Sequence, residues 1–141
     1  MAYKSSAVYD IKYHFIWCTR THTKKLSPDL MKFIDDQIRT IAATKEWAIH
    51  ELDVHENHIH LFLSAPPFIA PTDIVKIMKG VITKRAFEKY PSIQKKNSWG
   101  KHIWSNSYYI MTQGNLFPDM IQEYLNQQQI NSSEFITNTG E

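Results

Sequence analysis

Two histidines spaced two residues apart are the feature of this sequence best suited to chemistry. They occur in the run Asn57-His58-Ile59-His60-Leu61-Phe62-Leu63-Ser64. Alternate side chains of an extended strand point to opposite faces, so His58 and His60 share one face while the other face is wholly apolar. The two imidazoles would lie about 6.5 Å apart along the strand, close enough to reach one small cation. The pattern therefore indicates a metal or phosphate site on the polar face.

A second pair of polar side chains lies near the C-terminus of the chain. Tyr124 and Gln128 are four residues apart and would lie one above the other on a helix. Ile121 and Leu125 form an adjacent apolar strip that would dock this helix. Taken by themselves, Tyr124 and Gln128 are most simply interpreted as a packed aromatic ring and a solvated amide.

The charged residues are unevenly distributed along the chain. Residues 76–101 hold eight basic side chains and one acid, Glu88, whereas the remainder of the chain is net acidic. Such asymmetry favours a polyanionic partner such as nucleic acid, with lysines along phosphates and exposed bases stacked on aromatic rings. The candidate contacts are Lys79, Lys84, Arg85, Trp99 and Lys101. A solvated helix face is the alternative for the segment, and a place in the core is the alternative for Trp99.

The size and composition of the chain limit the class of protein. A chain of 141 residues, 43% hydrophobic, is large enough for one folded domain with a real core. No apolar run approaches the roughly 18 residues that a membrane span needs, and the first residues lack the apolar segment of a secretion signal. Cys18 is the only cysteine, which rules out an intrachain disulfide. We therefore expect a cytoplasmic protein with no membrane partner.

Hydrophobic periodicity predicts the order β-α-β-β-α-β followed by a helix. Ser27-Pro28-Asp29 has the composition of a helix start, and Glu56-Asn57 is a polar break between two strands of an antiparallel hairpin. The predicted elements are strands at 9–18, 47–55, 58–64 and 103–111, and helices at 27–43, from 71, and at 117–129. This order predicts an α+β fold, a ferredoxin-like or RRM-like split β-α-β sheet with an additional C-terminal helix. Residues 1–130 would form one domain, and the polar tail 131–141 is expected to be disordered.

The histidine pair is one of several motifs that occur at compatible spacing along nearly the whole chain. They are Tyr13-His14-Phe15-Ile16-Trp17, His58-Ile59-His60 with Leu61 and Pro66 after it, Asp73-Ile74-Val75-Lys76 with Lys79-Gly80, Trp99-Gly100-Lys101, Trp104-Ser105 with Ser107-Tyr108-Tyr109, and Tyr124-Leu125 with Gln128. Together they resemble the motifs of the single-tyrosine HUH transposases of small prokaryotic insertion sequences, the IS200-like type, whose HUH motif would be His58-Ile59-His60.

The resemblance implies roles for specific residues. His58 and His60 would bind Mg²⁺ or Mn²⁺ with Gln128 as a third ligand, and Tyr124 would be the nucleophile that forms a 5′-phosphotyrosine with DNA. The substrate would be single-stranded DNA with hairpins at the ends of a mobile element. The family also implies a homodimer whose active sites can be shared between subunits.

Other functions stay open at this point. A four-stranded sheet with an open face is also typical of non-catalytic single-stranded nucleic-acid-binding modules, although these place aromatics where this chain has His58 and His60. A related HUH nickase or a repeat-associated transposase would use the same motifs. A histidine-based phosphodiesterase would use water, so that Tyr124 would be dispensable. His55, three residues before His58, is a further candidate ligand at the hairpin end.

Overall fold

The computed structural model describes residues 2–4, 7–21, 24–95, 98–112 and 122–128. Residues 122–128 are helical, as the sequence predicted for this part of the last helix. The predicted ends of that helix near residues 117 and 129, and the predicted tail at 131–141, lie outside the described residues.

A four-stranded antiparallel sheet forms the centre of the fold. Its strands are β3 (Lys12–Cys18), β4 (Ala48–Val54), β5 (His58–Ser64) and β6 (Tyr109–Thr112), in the spatial order β4-β5-β3-β6. This order is that of a ferredoxin-like split β-α-β sheet, which confirms the predicted fold class. A separate two-stranded hairpin, β1 (Ala2–Lys4) with β2 (Ala7–Tyr9), precedes the sheet and was not predicted.

Two long helices connect the strands. Helix α1 spans Pro28–Lys45 and begins with a capping hydrogen bond, 3.2 Å, from the Leu30 backbone N–H to Ser27 Oγ. Helix α2 spans Pro71–Lys89 and is followed by a short 3-10 helix at Pro91–Gln94. Both α-helices start at a proline, the residue whose fixed φ and missing N–H suit the first helical turn. In the part of the chain that the structure describes, no helix is long and apolar enough to cross a membrane.

The main core lies between these helices and one face of the sheet. Strand residues of β3 and β5 alternate in direction. Those on the helix side are the partly buried Tyr13 and the fully buried Phe15, Trp17, Ile59, Leu61 and Leu63. The opposite face carries the other residues of the same strands, and we call it the open face. On β3 and β5 the open face consists of Lys12, His14, Ile16, Cys18, His58, His60, Phe62 and Ser64.

The fourth strand is shorter than the sequence suggested. It was predicted at 103–111, but β6 begins only at Tyr109, and Trp104 forms a single isolated bridge with Thr19. The carbonyls of Ser105 and Ser107 accept hydrogen bonds of 2.9 and 3.0 Å from Lys79 Nζ on α2. Lys79, which is distant in sequence, therefore binds backbone carbonyls that in a longer strand would have been available to pair with a neighbouring strand.

Candidate active site

Strand β5 places the two predicted imidazoles on the open face. Ile59, Leu61 and Leu63 are fully buried in the core. His58 and His60, which alternate with them along the strand, are half-buried on the other side. The β4–β5 turn is tight, with the His55 N–H donating to the His58 carbonyl at 2.8 Å. The alternation that the sequence predicted is therefore present, and the core side fixes the orientation of both rings.

The neighbouring residue Asn57 orients the ring of His58. His58 Nδ1 lies 2.8 Å from Asn57 Oδ1, and because an amide oxygen only accepts, the proton is on Nδ1. The neutral ring then has its free lone pair on Nε2, as a metal ligand requires. The ring of His55 stacks on His58 at a centroid distance of 4.2 Å. Burial lowers the pKa of His58 to about 4, so this ring is neutral at physiological pH.

His60 is held by a second histidine that the sequence analysis gave no role. The Nε2 atom of His60 lies 3.0 Å from Nδ1 of His14. The side chain of His14 is only 6% exposed, and its ring stacks in parallel on the ring of Phe62 at a centroid distance of 4.0 Å. The other nitrogen of His60, Nδ1, lies 3.9 Å from Asp53 Oδ2. Burial lowers the pKa of His60 as well.

Two carboxylates on β4 extend the imidazole site. One ligand atom each of Glu51, Asp53 and His60 lie within 4.8 Å of one another. Asp53 is the register partner of His60, and Glu51 is the partner of Phe62, after a bulge between Ile49 and Glu51. Ring nitrogen together with carboxylate oxygens is a donor set that suits a divalent cation. Sequence analysis missed these two acids, although counting back from the predicted hairpin turn would have placed Asp53 opposite His60.

Tyr124 lies on the open face, in the helical segment 122–128. Its hydroxyl is 3.3 Å from Ser107 Oγ, and its ring lies 5.6 Å from that of Tyr109. Burial raises the pKa of Tyr124 well above its ordinary value, so the phenol is protonated at neutral pH in this arrangement. Cys18 is also buried on the open face, and burial raises its thiol pKa to about 11.

Gln128 shares Ser107 with Tyr124 and also contacts Ser105. Its Oε1 accepts hydrogen bonds from Ser107 Oγ at 2.7 Å and from Ser105 Oγ at 3.3 Å. The backbone carbonyls of both serines bind Lys79, whose pKa is lowered by burial to about 8. Lys79, predicted as a DNA contact, therefore binds the backbone of residues 105–107, the segment whose serine side chains contact Tyr124 and Gln128.

The tyrosine and the imidazoles lie on the same face of the sheet. The ring of Tyr124 contacts Tyr109 on β6, and Tyr109 is the register partner of Ile16 on β3. Ile16 in turn pairs with His60 on β5. Directly opposed residues point to the same face, with Cβ atoms about 4.5–5.5 Å apart. The predicted nucleophile therefore lies on the open face with the imidazoles, whereas Gln128 is bonded to the two serines.

The remaining predicted DNA contacts occupy different environments. Lys84 and Lys101 are exposed, and Arg85 is exposed with its Nη1 donating to Gln37 Oε1 at 2.7 Å. Trp99 is 4% exposed and belongs to the core, so its ring is not offered to a base. The structure favours the alternative interpretation of Trp99 as a core residue.

The protein without metal is expected to lose stability as the pH falls from 6.5 to 4. His58 titrates near 4 in the fold but near 6.5 in an unfolded chain. Between these values the unfolded state binds more protons, so acid favours unfolding, by about 2 kcal/mol for a partly exposed ring. Thermal melts at pH 6.5 and pH 4 should show a smaller drop in melting temperature in His58→Gln than in the wild type. Equal losses in the two proteins would show that His58 is not the titrating group.

Comparisons with known proteins identify the family of the chain. Residues 7–128 match the sequence profile of the family described as "Transposase IS200 like". The ISDra2 transposase TnpA of Deinococcus radiodurans is 36% identical over 121 residues, which are 86% of this chain and 86% of the relative. The transposase for insertion sequence element IS200 of Salmonella typhimurium is 22% identical over 120 residues, 85% of this chain and 78% of the relative.

Solved structures show the same fold. A crystal structure of a candidate transposase from Deinococcus radiodurans R1 superposes with a TM-score of 0.81 at 30% identity, covering 91% of this chain and 98% of that one. A REP-associated tyrosine transposase bound to a REP hairpin superposes with a TM-score of 0.56 at 14% identity, covering 96% of this chain and 74% of that one. By its profile, its relatives and its fold, the chain belongs to the IS200-like transposase family.

Proposed function

We propose that this transposase cleaves and rejoins single-stranded DNA at the ends of an insertion sequence, with Tyr124 as the nucleophile. The observation that carries the proposal is the contact of the Tyr124 ring with Tyr109 on the open face, since Tyr109 pairs with Ile16 and Ile16 pairs with His60. It holds the phenol on the same sheet face as two neutral imidazoles. A phosphate lying over this face could contact both.

The residues of the open face fit a divalent metal ion. In the set implied by the family resemblance, His58 Nε2, His60 and the amide oxygen of Gln128 would hold Mg²⁺ or Mn²⁺, of which Mn²⁺ accepts nitrogen ligands more readily. Asp53 and Glu51 are further donors beside His60. Such an ion, when bound, would polarise the scissile phosphate and would stabilise the negative charge that develops on it.

In the proposed cleavage, the Tyr124 oxygen forms a bond to phosphorus while the bond from phosphorus to the 3′-oxygen breaks. The phenol loses its proton and the departing oxygen gains one, which leaves a free 3′-hydroxyl and a 5′-phosphotyrosine. Because one phosphodiester replaces another, attack by a 3′-hydroxyl can rejoin the strand without ATP. Burial raises the pKa of Tyr124, so proton removal must accompany attack.

The number of nucleophiles supports a homodimer. Excision of a DNA segment requires two cleavages, and one Tyr124 can hold only one strand end at a time. Two copies of the chain therefore supply the two tyrosines, each acting within its own protomer or at the partner's site. We place this activity in the cytoplasm.

The DNA is proposed to be single-stranded with hairpin ends. The basic segment 76–101 supplies exposed cations, including Lys84 and Lys101, that would follow phosphates. A structural neighbour is a tyrosine transposase bound to a hairpin, which supports hairpin recognition here.

A covalent adduct tests the proposal. The full chain is incubated with 5′- and 3′-labelled single-stranded oligonucleotides from the ends of its own element, with Mn²⁺ or Mg²⁺. We expect a denaturation-resistant adduct with the label on the 3′ side of the cut, and its loss on chelation. Cleavage without an adduct would indicate a hydrolase that uses water. Binding without cleavage on these sequences would indicate a passive binding module.

Asn57→Ala is expected to weaken binding of Mn²⁺ by about 10- to 100-fold, since a partner that orients a ligating histidine typically contributes this much. The variant loses the acceptor at 2.8 Å that holds the proton of His58 on Nδ1. Asn57→Asp keeps an acceptor oxygen and should stay near the wild type. Calorimetry without DNA measures the affinity, and ¹⁵N NMR reports the tautomer. Wild-type affinity in Asn57→Ala, or an Nε2-protonated ring in the wild type, would refute this role.

A further inference from the structure

His14 is a buried histidine in contact with the predicted metal site. It lies on the open face of β3, where it is 6% exposed, and its register partner on β5 is Phe62. Its Nδ1 lies 3.0 Å from Nε2 of His60, two residues from Phe62 along the same strand. Such a diagonal contact between neighbouring strands is within reach of aromatic side chains. His14 therefore connects β3 to the predicted ligand His60.

Stacking fixes the plane of the His14 ring. The ring is parallel to that of Phe62, with an interplanar angle of 1° and a centroid distance of 4.0 Å. The ring of His60 lies on its other contact, at a centroid distance of 5.3 Å. A buried ring packed in this way keeps one orientation, so the sheet sets the position of Nδ1 of His14.

One proton lies between the two imidazoles. A contact of 3.0 Å between ring nitrogens is a hydrogen bond in which one nitrogen donates and the other accepts. If His60 donates, its Nε2 carries the proton. If His14 donates, the lone pair on Nε2 of His60 accepts that proton. In both arrangements Nε2 of His60 has no lone pair for a cation, so an ion that His60 binds while the pair is intact is bound through Nδ1.

Nδ1 of His60 faces oxygen donors on β4. It lies 3.9 Å from Oδ2 of Asp53, and one ligand atom each of Asp53, Glu51 and His60 lie within 4.8 Å of one another. A histidine that binds a metal usually donates its other ring N–H to a polar partner, which fixes the tautomer and the direction of the lone pair. With Nδ1 of His60 as the ligand atom, the donor is Nε2–H and the partner is Nδ1 of His14.

We propose that His14 is a positioning residue for His60. It accepts a hydrogen bond from His60 Nε2–H and thereby directs the lone pair on Nδ1 of His60 at the divalent ion. The proposal rests on the proposed function and adds to it the ring nitrogen that His60 uses. It holds whether Gln128 or the carboxylates of β4 complete the ligand set, because His60 belongs to both sets.

Two substitutions separate the nitrogen of His14 from its ring. His14→Phe keeps a ring against Phe62 but removes the acceptor, and should weaken Mn²⁺ binding about 10- to 100-fold in calorimetry without DNA. His14→Asn loses the ring but carries an amide oxygen on Cγ, the atom to which Nδ1 is bonded in histidine. This variant should therefore recover most of the affinity that His14→Phe loses.

His50→Phe is the matched control for these variants. His50 is exposed on β4, where its ring lies beside that of Phe62 and its Nε2 contacts Ser64 Oγ. The same change of histidine to phenylalanine at this position should leave Mn²⁺ affinity as in the wild type.

The tautomer of His60 is a second measurement, and it needs no substitution at His14. In the wild type saturated with Mg²⁺, ¹⁵N NMR should show the proton of His60 on Nε2 and none on Nδ1. The resonances are assigned by their loss in His60→Ala. A His60 ring protonated on Nδ1 under these conditions would overturn the proposal.

The remaining outcomes distinguish this proposal from the proposed function. Wild-type Mn²⁺ affinity in His14→Phe, with adduct formation intact, would overturn the role of His14 and leave the proposed function standing. Equal weakening in His14→Phe and His14→Asn would assign the loss to packing of the ring and would also overturn the role. A wild type that binds neither Mn²⁺ nor Mg²⁺ would overturn both proposals.

Discussion

Tyr124→Phe is expected to abolish the covalent adduct and to lower DNA cleavage at least about 1,000-fold, as loss of a nucleophile does in other enzymes. The change removes one oxygen atom and keeps the ring that lies against Tyr109. The helical segment should stay in place, because Gln128 keeps its hydrogen bonds to Ser105 and Ser107. Gel analysis of labelled oligonucleotides measures adduct and cleavage, and anisotropy should show DNA binding within about twofold of the wild type.

Tyr109→Phe is the matched control for this prediction. Its ring touches that of Tyr124, but its hydroxyl contacts the sulfur of Met111 rather than the serines. Cleavage should persist in this variant. Cleavage by Tyr124→Phe at the wild-type level would show that Tyr124 is not the nucleophile. Loss of cleavage in Tyr109→Phe but not in Tyr124→Phe would assign that role to Tyr109.

His60→Ala is expected to lower cleavage by at least about 100-fold while DNA binding changes little. The ring sits between His14 at 3.0 Å and Asp53 at 3.9 Å, so its removal takes the central donor from the open face. Mn²⁺ affinity, measured by calorimetry, should fall in parallel. His50→Ala is the control, because His50 lies beside Phe62 and is exposed on the neighbouring strand.

Asp53→Asn separates the two candidate donor sets. If His58, His60 and Gln128 hold the ion, this variant should keep most of its cleavage and Gln128→Ala should lose it. The reverse pattern would move the ion towards the carboxylates of β4. Cleavage by His60→Ala at the wild-type rate would contradict a role for either set, since both include His60.

The central strand of the site could be predicted from the sequence because the alternation that identifies it is local. Alternation from His58 to Leu63 has one buried apolar face, which leaves a single orientation for the imidazoles. The spacing of Tyr124 and Gln128 likewise predicted their common side, and Ser107 contacts both. The fold class followed from the order of such elements.

The features that were missed depend on long-range contacts. The predicted start of the last strand at residue 103 was wrong, because Lys79 on α2 bonds the carbonyls of Ser105 and Ser107. The bulge between Ile49 and Glu51, beyond which Ile49 pairs with Leu63, leaves no mark in the local pattern. Trp99 could not be assigned to core or surface from its neighbours in sequence, because the fold around it determines its burial.

Peptide mapping of the DNA adduct tests the central claim most directly. The trapped complex is digested with protease and nuclease, and mass spectrometry locates the residual nucleotide. The account predicts a phosphodiester on the oxygen of Tyr124, in a peptide that is unmodified when chelator is present. A nucleotide on Tyr108, Tyr109 or any other residue would contradict it.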